Sequence, residues 1–222
     1  MNKTQKRNIG LTAAGIAAAA AAYHFFIRPK HLKWGTQKEE ADSILPGDEL
    51  IQNGQSTTHA INIDAPIEDV WPWFVQLGQD RAGFYSYTWL ENLFGCHMKN
   101  AHDVHSEWQD LNVGDSIYFH PKYPPVPVAK LVENECLVMH ANAGQPDETT
   151  WGFYLVPMGE NRTRLIVRLR TREIKGVSKV LNEVTVEPAH FIMERKMMLT
   201  VKELAEKRYR QRSSKKNLAI AS

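Results

Sequence analysis

Arg81 has the clearest chemical opportunity in this chain, because the rings of Tyr85, Tyr87 and Trp89 follow within eight positions. A guanidinium offers a rigid fork of donors that can clamp a carboxylate or phosphate while aromatic faces close over the ligand. The same arginine could instead serve a structural salt bridge to Asp80, Glu91 or Glu194. Glu91 carries a similar ambiguity, since Thr88-x-x-Glu91 has the spacing of a capping box. A tyrosine acid, Tyr85 or Tyr87, working with His190 as base would be the acid–base version of such a site.

Other chemistry is thinner. In TRLIVRLR, Arg164, Arg168 and Arg170 share one face of a strand, while Leu165, Val167 and Leu169 share the other. The simple assignment sends the leucines to the core and the arginines to solvent; the inverted one would aim arginines at a cavity, facing Glu194. By the same alternation Trp151, Phe153, Leu137 and Met139 point inward. His97, His102 and His105 have a spacing that fits no one-faced ligand set, so no metal is expected. No glycine-rich phosphate loop or nucleophile elbow is present, and no cofactor is implied. Two cysteines, Cys96 and Cys136, are too few for a disulfide framework.

These residues need a scaffold, and the 222-residue length allows one sizeable core with appendages. Charge is segregated. Of 27 basic residues, six lie in positions 1–33 and six in 207–216, with no acid in either stretch, so the middle carries 15 basic against 25 acidic residues. An acidic body argues against nucleic acid, whereas basic ends suit anionic lipid headgroups. Residues 9–27 are 19 positions without a formal charge, just long enough to span a bilayer as a helix. This predicts a single-pass membrane anchor of undetermined orientation, with a cleaved signal peptide as the rival.

A connector over 29–56 leads to a strand at 57–63. Pro66 then opens a helix to Leu77, in which Val70, Trp73, Phe74 and Leu77 share one face; Pro72 should kink or shorten it. A second short helix follows Thr88. Strands are expected at 116–120, 126–132, 136–141, 150–156 and 163–170, close enough for an antiparallel meander. A long amphipathic helix runs from Val186 to about Tyr209 and can cover one face of that sheet. A flexible basic tail, 210–222, completes the chain.

The order of elements, with the motifs VWPWFVQLGQDRAGFYSYTWLENL, TWGFYL, TRLIVRLR and FIMERKMMLTVKELAE, resembles the SRPBCC superfamily, the START-like, polyketide cyclase-like helix-grip fold, over roughly residues 57–208. The resemblance implies an α+β domain at 57–209: a curved antiparallel sheet of six or seven strands wrapped on the C-terminal helix, with two short helices after the first strand. It also implies a sheet–helix cavity for a hydrophobic small molecule or lipid. Ligand contacts are expected from Trp73, Arg81, Tyr85, Tyr87, Trp89, Met139, Trp151, Phe153, Phe191 and Glu194. A cyclase or dehydratase acting in the same cavity, and a structural domain without ligand, are the alternatives.

Overall fold

A computed structural model describes residues 5, 12, 15 and 18–221. Strands β1 (Gln55–Ile63), β2 (Ser116–Ile117), β3 (Val126–Val132), β4 (Cys136–Ala141), β5 (Thr149–Pro157) and β6 (Thr163–Thr171) form one antiparallel sheet, in the order β1-β6-β5-β4-β3-β2. The helices are α1 (Arg28–His31), α2 (Lys38–Asp42), α3 (Ile67–Val70), α4 (Pro72–Val75), α5 (Thr88–Leu93), α6 (Gly176–Leu181) and α7 (Glu187–Ala221). A curved antiparallel sheet gripping a long C-terminal helix is the helix-grip arrangement.

Strand alternation separates two apolar layers. Ile61, Ile63, Leu137, Met139, Phe153, Leu155, Leu165 and Val167 project to the inner face and bury against Met197, Met198, Val201 and Ala205 of α7. The last four sit at i, i+1, i+4 and i+8, one stripe of a helix. Each fully buried side chain of this kind contributes roughly 1.5–3 kcal/mol. Ala60, Cys136, Val138, Tyr154 and Ile166 form a thinner layer on the outer face.

That outer face is not left to solvent, which corrects the simple assignment of the β6 arginines. The connector lies across it and the arginines bind it. Arg168, almost fully buried, donates to Ser43 O at 2.7 Å, Asp48 Oδ2 at 2.6 Å and Glu40 O at 2.9 Å. Arg164 forks onto the Glu40 carboxylate with both distances 2.7 Å. The connector also pairs with the free edge of β1, through Thr58 N to Leu32 O and Ala60 N to Trp34 O, both 3.0 Å. Gly35 permits the approach: its φ is +74°, and a Cβ there would lie 2.1 Å from Ala60 O.

Prolines set the helix breaks. The expected helix from Pro66 divides at Trp71 because Pro72 has no N–H to donate, leaving α3 and α4. Two π turns, Tyr23–Ile27 and Asn182–Val186, each end two residues before a proline, Pro29 and Pro188. In both, the ring would strike the carbonyl four residues back, and widening the turn relieves it. These two segments run side by side, tied by His24 Nδ1 to Glu183 Oε2 at 2.9 Å and Arg28 Nε to Glu187 Oε2 at 2.8 Å.

Two expectations change at the ends. Helix α7 continues through 210–221 instead of loosening into a tail, since no proline or glycine follows Pro188 in it. The expected anchor, 9–27, lies in part outside the described residues; among those described, no helix is long and apolar enough to cross a membrane, so no transmembrane helix is found there.

Candidate functional site

The inner face of the sheet and α7 part at one end and enclose a cavity of about 620 Å³. Its floor is Met139, Ala141, Thr149, Trp151 and Leu169 from β4, β5 and β6. Its opposite wall is one face of α7, His190, Met193, Glu194 and Met197, spaced i, i+3, i+4, i+7. Glu91 and Phe94 at α5, with Phe84, Ser86, Cys96 and Met98 around it, close a third side, and Phe119, His120 and Tyr123 stand at the loop after β2. The surface is mostly apolar, with polar groups at a few positions.

Glu194 is the centre of the strongest polar cluster, and it is almost fully buried. Its Oε1 lies 2.5 Å from His59 Nδ1, its Oε2 accepts from the Trp151 indole at 2.7 Å, and His190 Nε2 stands 3.6 Å from Oε2. His59 is fully enclosed, and its Nε2 faces the carbonyl of His31 at 2.7 Å. A carbonyl can only accept, so Nε2 carries a hydrogen; the bond from Nδ1 to Glu194 then holds one further proton between ring and carboxyl. Phe191 and Trp34 pack against His59 from outside, at ring-centroid distances of 5.2 and 6.4 Å, and exclude water.

Burial pushes the pKa of Glu194 up, but its interaction with His190 and the bonds from His59 and Trp151 outweigh it and hold the carboxyl below its ordinary value. Burial pushes the His190 imidazole down, favouring its neutral form. A neutral imidazole facing the cavity beside a buried carboxylate can accept a proton and be held in orientation while it does.

Of the ten residues expected to contact a ligand, Met139, Trp151 and Glu194 line this cavity. Phe153 packs in the core between Phe74 and Trp151, with centroids 5.0 and 4.8 Å away. Trp73 is core, its indole donating to Asp69 O at 3.0 Å and its ring edge-on to Tyr85. Tyr85 is fully buried outside the cavity wall; its hydroxyl accepts from Gln76 at 2.6 Å, and burial pushes the phenol further from ionising. Its φ of +57° turns the chain so that Phe84 and Ser86 face the cavity instead. Tyr87 is the N-cap residue of α5, and Trp89 is 67% exposed on that helix. Arg81 sits half-buried in the turn bridged by Gly78 and Gly83, outside the cavity wall, and Phe191 lies on the far side of Glu194.

Among the residues that the sequence reading did not place at the site are His59, Ser86, Phe119 and Met193. The inward parity of His59 was legible, since Ile61 and Ile63 share its side of β1. The sequence leaves Glu91 open between a functional role and a capping box. In the structure α5 begins at Thr88 with Tyr87 as its cap, one residue too early for that box, and Glu91 turns to the cavity.

No family model matches the chain, and no curated protein matches it. Among solved structures it is similar to protein MLL2253 from Mesorhizobium loti, at 15% identity and a TM-score of 0.40 over 69% of this chain and 98% of that one. It is similar to norcoclaurine synthase from Thalictrum flavum, at 16% identity and a TM-score of 0.40 over 76% and 96%. It is likewise similar to CalU16 from Micromonospora echinospora, at 15% identity and a TM-score of 0.37 over 69% and 85%. These are distant likenesses of shape and carry neither ligand nor chemistry to this chain.

Proposed function

We propose that the protein binds an apolar small molecule or lipid in the cavity between sheet and α7, close to a membrane that its N-terminal segment reaches. The cavity itself carries this reading. At about 620 Å³ it is well above the roughly 300 Å³ at which small-molecule sites begin, and apolar walls with a few convergent polar groups are what such sites present. Long flexible methionines, Met139, Met193 and Met197, line it and can adapt to differently shaped ligands.

The membrane part rests on the paired segments at the N-terminal side of α7. Phe25, Phe26 and Ile27 are exposed, and so are Val177, Val180, Leu181 and Val184 on the neighbouring segment. Apolar side chains concentrated on one tied pair of segments suit insertion at a headgroup boundary better than contact with water.

The test is native mass spectrometry of full-length protein purified from membrane extracts, beside Ala141→Trp, which fills the cavity from β4. A small molecule retained by the wild type and lost from the variant is expected. Reproducible absence of any bound species, with the two proteins indistinguishable, would overturn the binding reading. Flotation with phosphatidylglycerol vesicles tests the membrane part, and full-length protein remaining in the aqueous fraction sinks it.

A second reading, an enzyme of the cyclase or dehydratase kind, is favoured by one observation, the cavity-facing His190 beside Glu194. It expects a retained species to be converted on incubation with the wild type, by loss of water in a dehydration or by a changed chromatographic retention at constant mass in a cyclisation, and to stay unchanged with His190→Gln.

A further inference from the structure

Glu91 and Glu194 both face the cavity, but their surroundings differ. Glu194 has its two oxygens filled, by His59 on one side and Trp151 on the other. Glu91 is 6% exposed, and its Oε2 is buried without a hydrogen-bond partner. Among the described residues no ion pair reaches it, and the cavity residues nearest in sequence are Phe94, Cys96 and Ser86, whose hydroxyl is already donated to Met193 O. Nor does its helix use it, because α5 takes Tyr87 as cap. A carboxyl held in apolar surroundings with unspent hydrogen-bonding capacity is costly unless something completes it. Burial without a compensating charge also pushes its pKa up, shifting it toward the protonated form, which has an O–H to donate.

Resting on the reading that the cavity binds small molecules, we propose that Glu91 is its polar anchor and, as a neutral acid, donates a hydrogen bond to the carbonyl oxygen of an uncharged apolar ligand. Ligand class follows from the same geometry. An anionic ligand would find no arginine or lysine in the cavity wall to balance its charge. A ketone, ester or quinone needs only one donor, and the remaining wall is apolar.

Three probes of one shape separate the possibilities: 2-acetylnaphthalene, 2-ethylnaphthalene and 1-(2-naphthyl)ethylamine, titrated calorimetrically into full-length wild type, Glu91→Gln and Glu91→Leu. The wild type is expected to prefer the ketone over the hydrocarbon by roughly three- to tenfold, the worth of one net hydrogen bond. Glu91→Gln, which keeps a donor, should retain the preference. Glu91→Leu should lose it while binding 2-ethylnaphthalene as before. With rising pH the wild-type preference should decline as Glu91 ionises, whereas that of Glu91→Gln stays flat. This pH comparison decides the matter if Glu91→Leu does not fold. Preference for the amine, or a ketone preference surviving in Glu91→Leu, overturns the proposal. Hydrocarbon binding without ketone preference overturns it and leaves the cavity reading standing, whereas failure of all three probes removes both.

Discussion

His59 on β1 and Glu194 on α7 are 135 positions apart in the chain, yet Nδ1 of one lies 2.5 Å from Oε1 of the other, with almost no solvent contact for either. The pair locks the first strand to the last helix at the cavity's inner end. Removing one member strands the other in a dry site, which costs about 3–5 kcal/mol. His59→Leu and Glu194→Leu are therefore each expected to lower the urea midpoint strongly. The double variant His59→Leu with Glu194→Leu should lose clearly less than the sum. Strict additivity of the two single effects would show that the pair is not a unit.

Trp151 holds the other oxygen of Glu194 from β5. Trp151→Phe keeps a ring in the cavity floor but removes the indole donor, leaving Oε2 with His190 at 3.6 Å. A loss of about 1–3 kcal/mol is expected, the usual consequence of leaving a buried acceptor short of a partner. Chemical denaturation measures it; an unchanged midpoint would mean that water replaces the indole.

Arg168 plays the corresponding role on the outer face, where it holds the connector through carbonyls of 40–43 and the Asp48 carboxylate. Arg168→Met preserves the stem and deletes every donor. A loss of about 3 kcal/mol is expected, with limited proteolysis shifting to residues 35–51. Digestion that leaves this segment as resistant as in the wild type would count against the arginine as its fastener.

Glu148 supplies a pH signature. Hydrogen bonding from Arg172, supported by a backbone N–H and His140, pulls its carboxyl from 4.5 down to about 2. The folded value is below the unfolded one, so the contribution is full above about pH 4.5 and disappears as pH falls through 2. Between those limits the wild-type melting temperature should climb with pH more steeply than that of Glu148→Gln. Parallel melting curves across pH 2 to 5 would remove Glu148 from the acid transition.

Particular elements show where reading the chain succeeds and where it stops. Strand positions at 126–132 and 136–141 were legible to the residue, because short apolar runs bounded by the turn residues Pro124-Pro125, Glu133-Asn134-Glu135 and Asn142 to Pro146 encode them locally. The long C-terminal helix and the inward set Leu137, Met139, Trp151 and Phe153 were legible for the same reason: side-chain parity is a local property of the backbone. The aromatic stretch after Gly78 was less tractable. Composition marks it as unusual, but a left-handed Tyr85 inverts which rings face the cavity, and Arg81 ends in a turn.

Local chemistry thus determined the main strands and the long helix, their order and the faces the strands present, since periodicity and helix or turn signals act within a few residues. Tertiary structure alone decided that the β6 arginines bind the connector, that His59 meets Glu194, and that Glu91 faces the cavity without a partner. Those outcomes depend on strand register, on where α5 begins and on the path of a connector more than a hundred residues from the strand it covers. Such long-range relations leave no periodic trace in the chain.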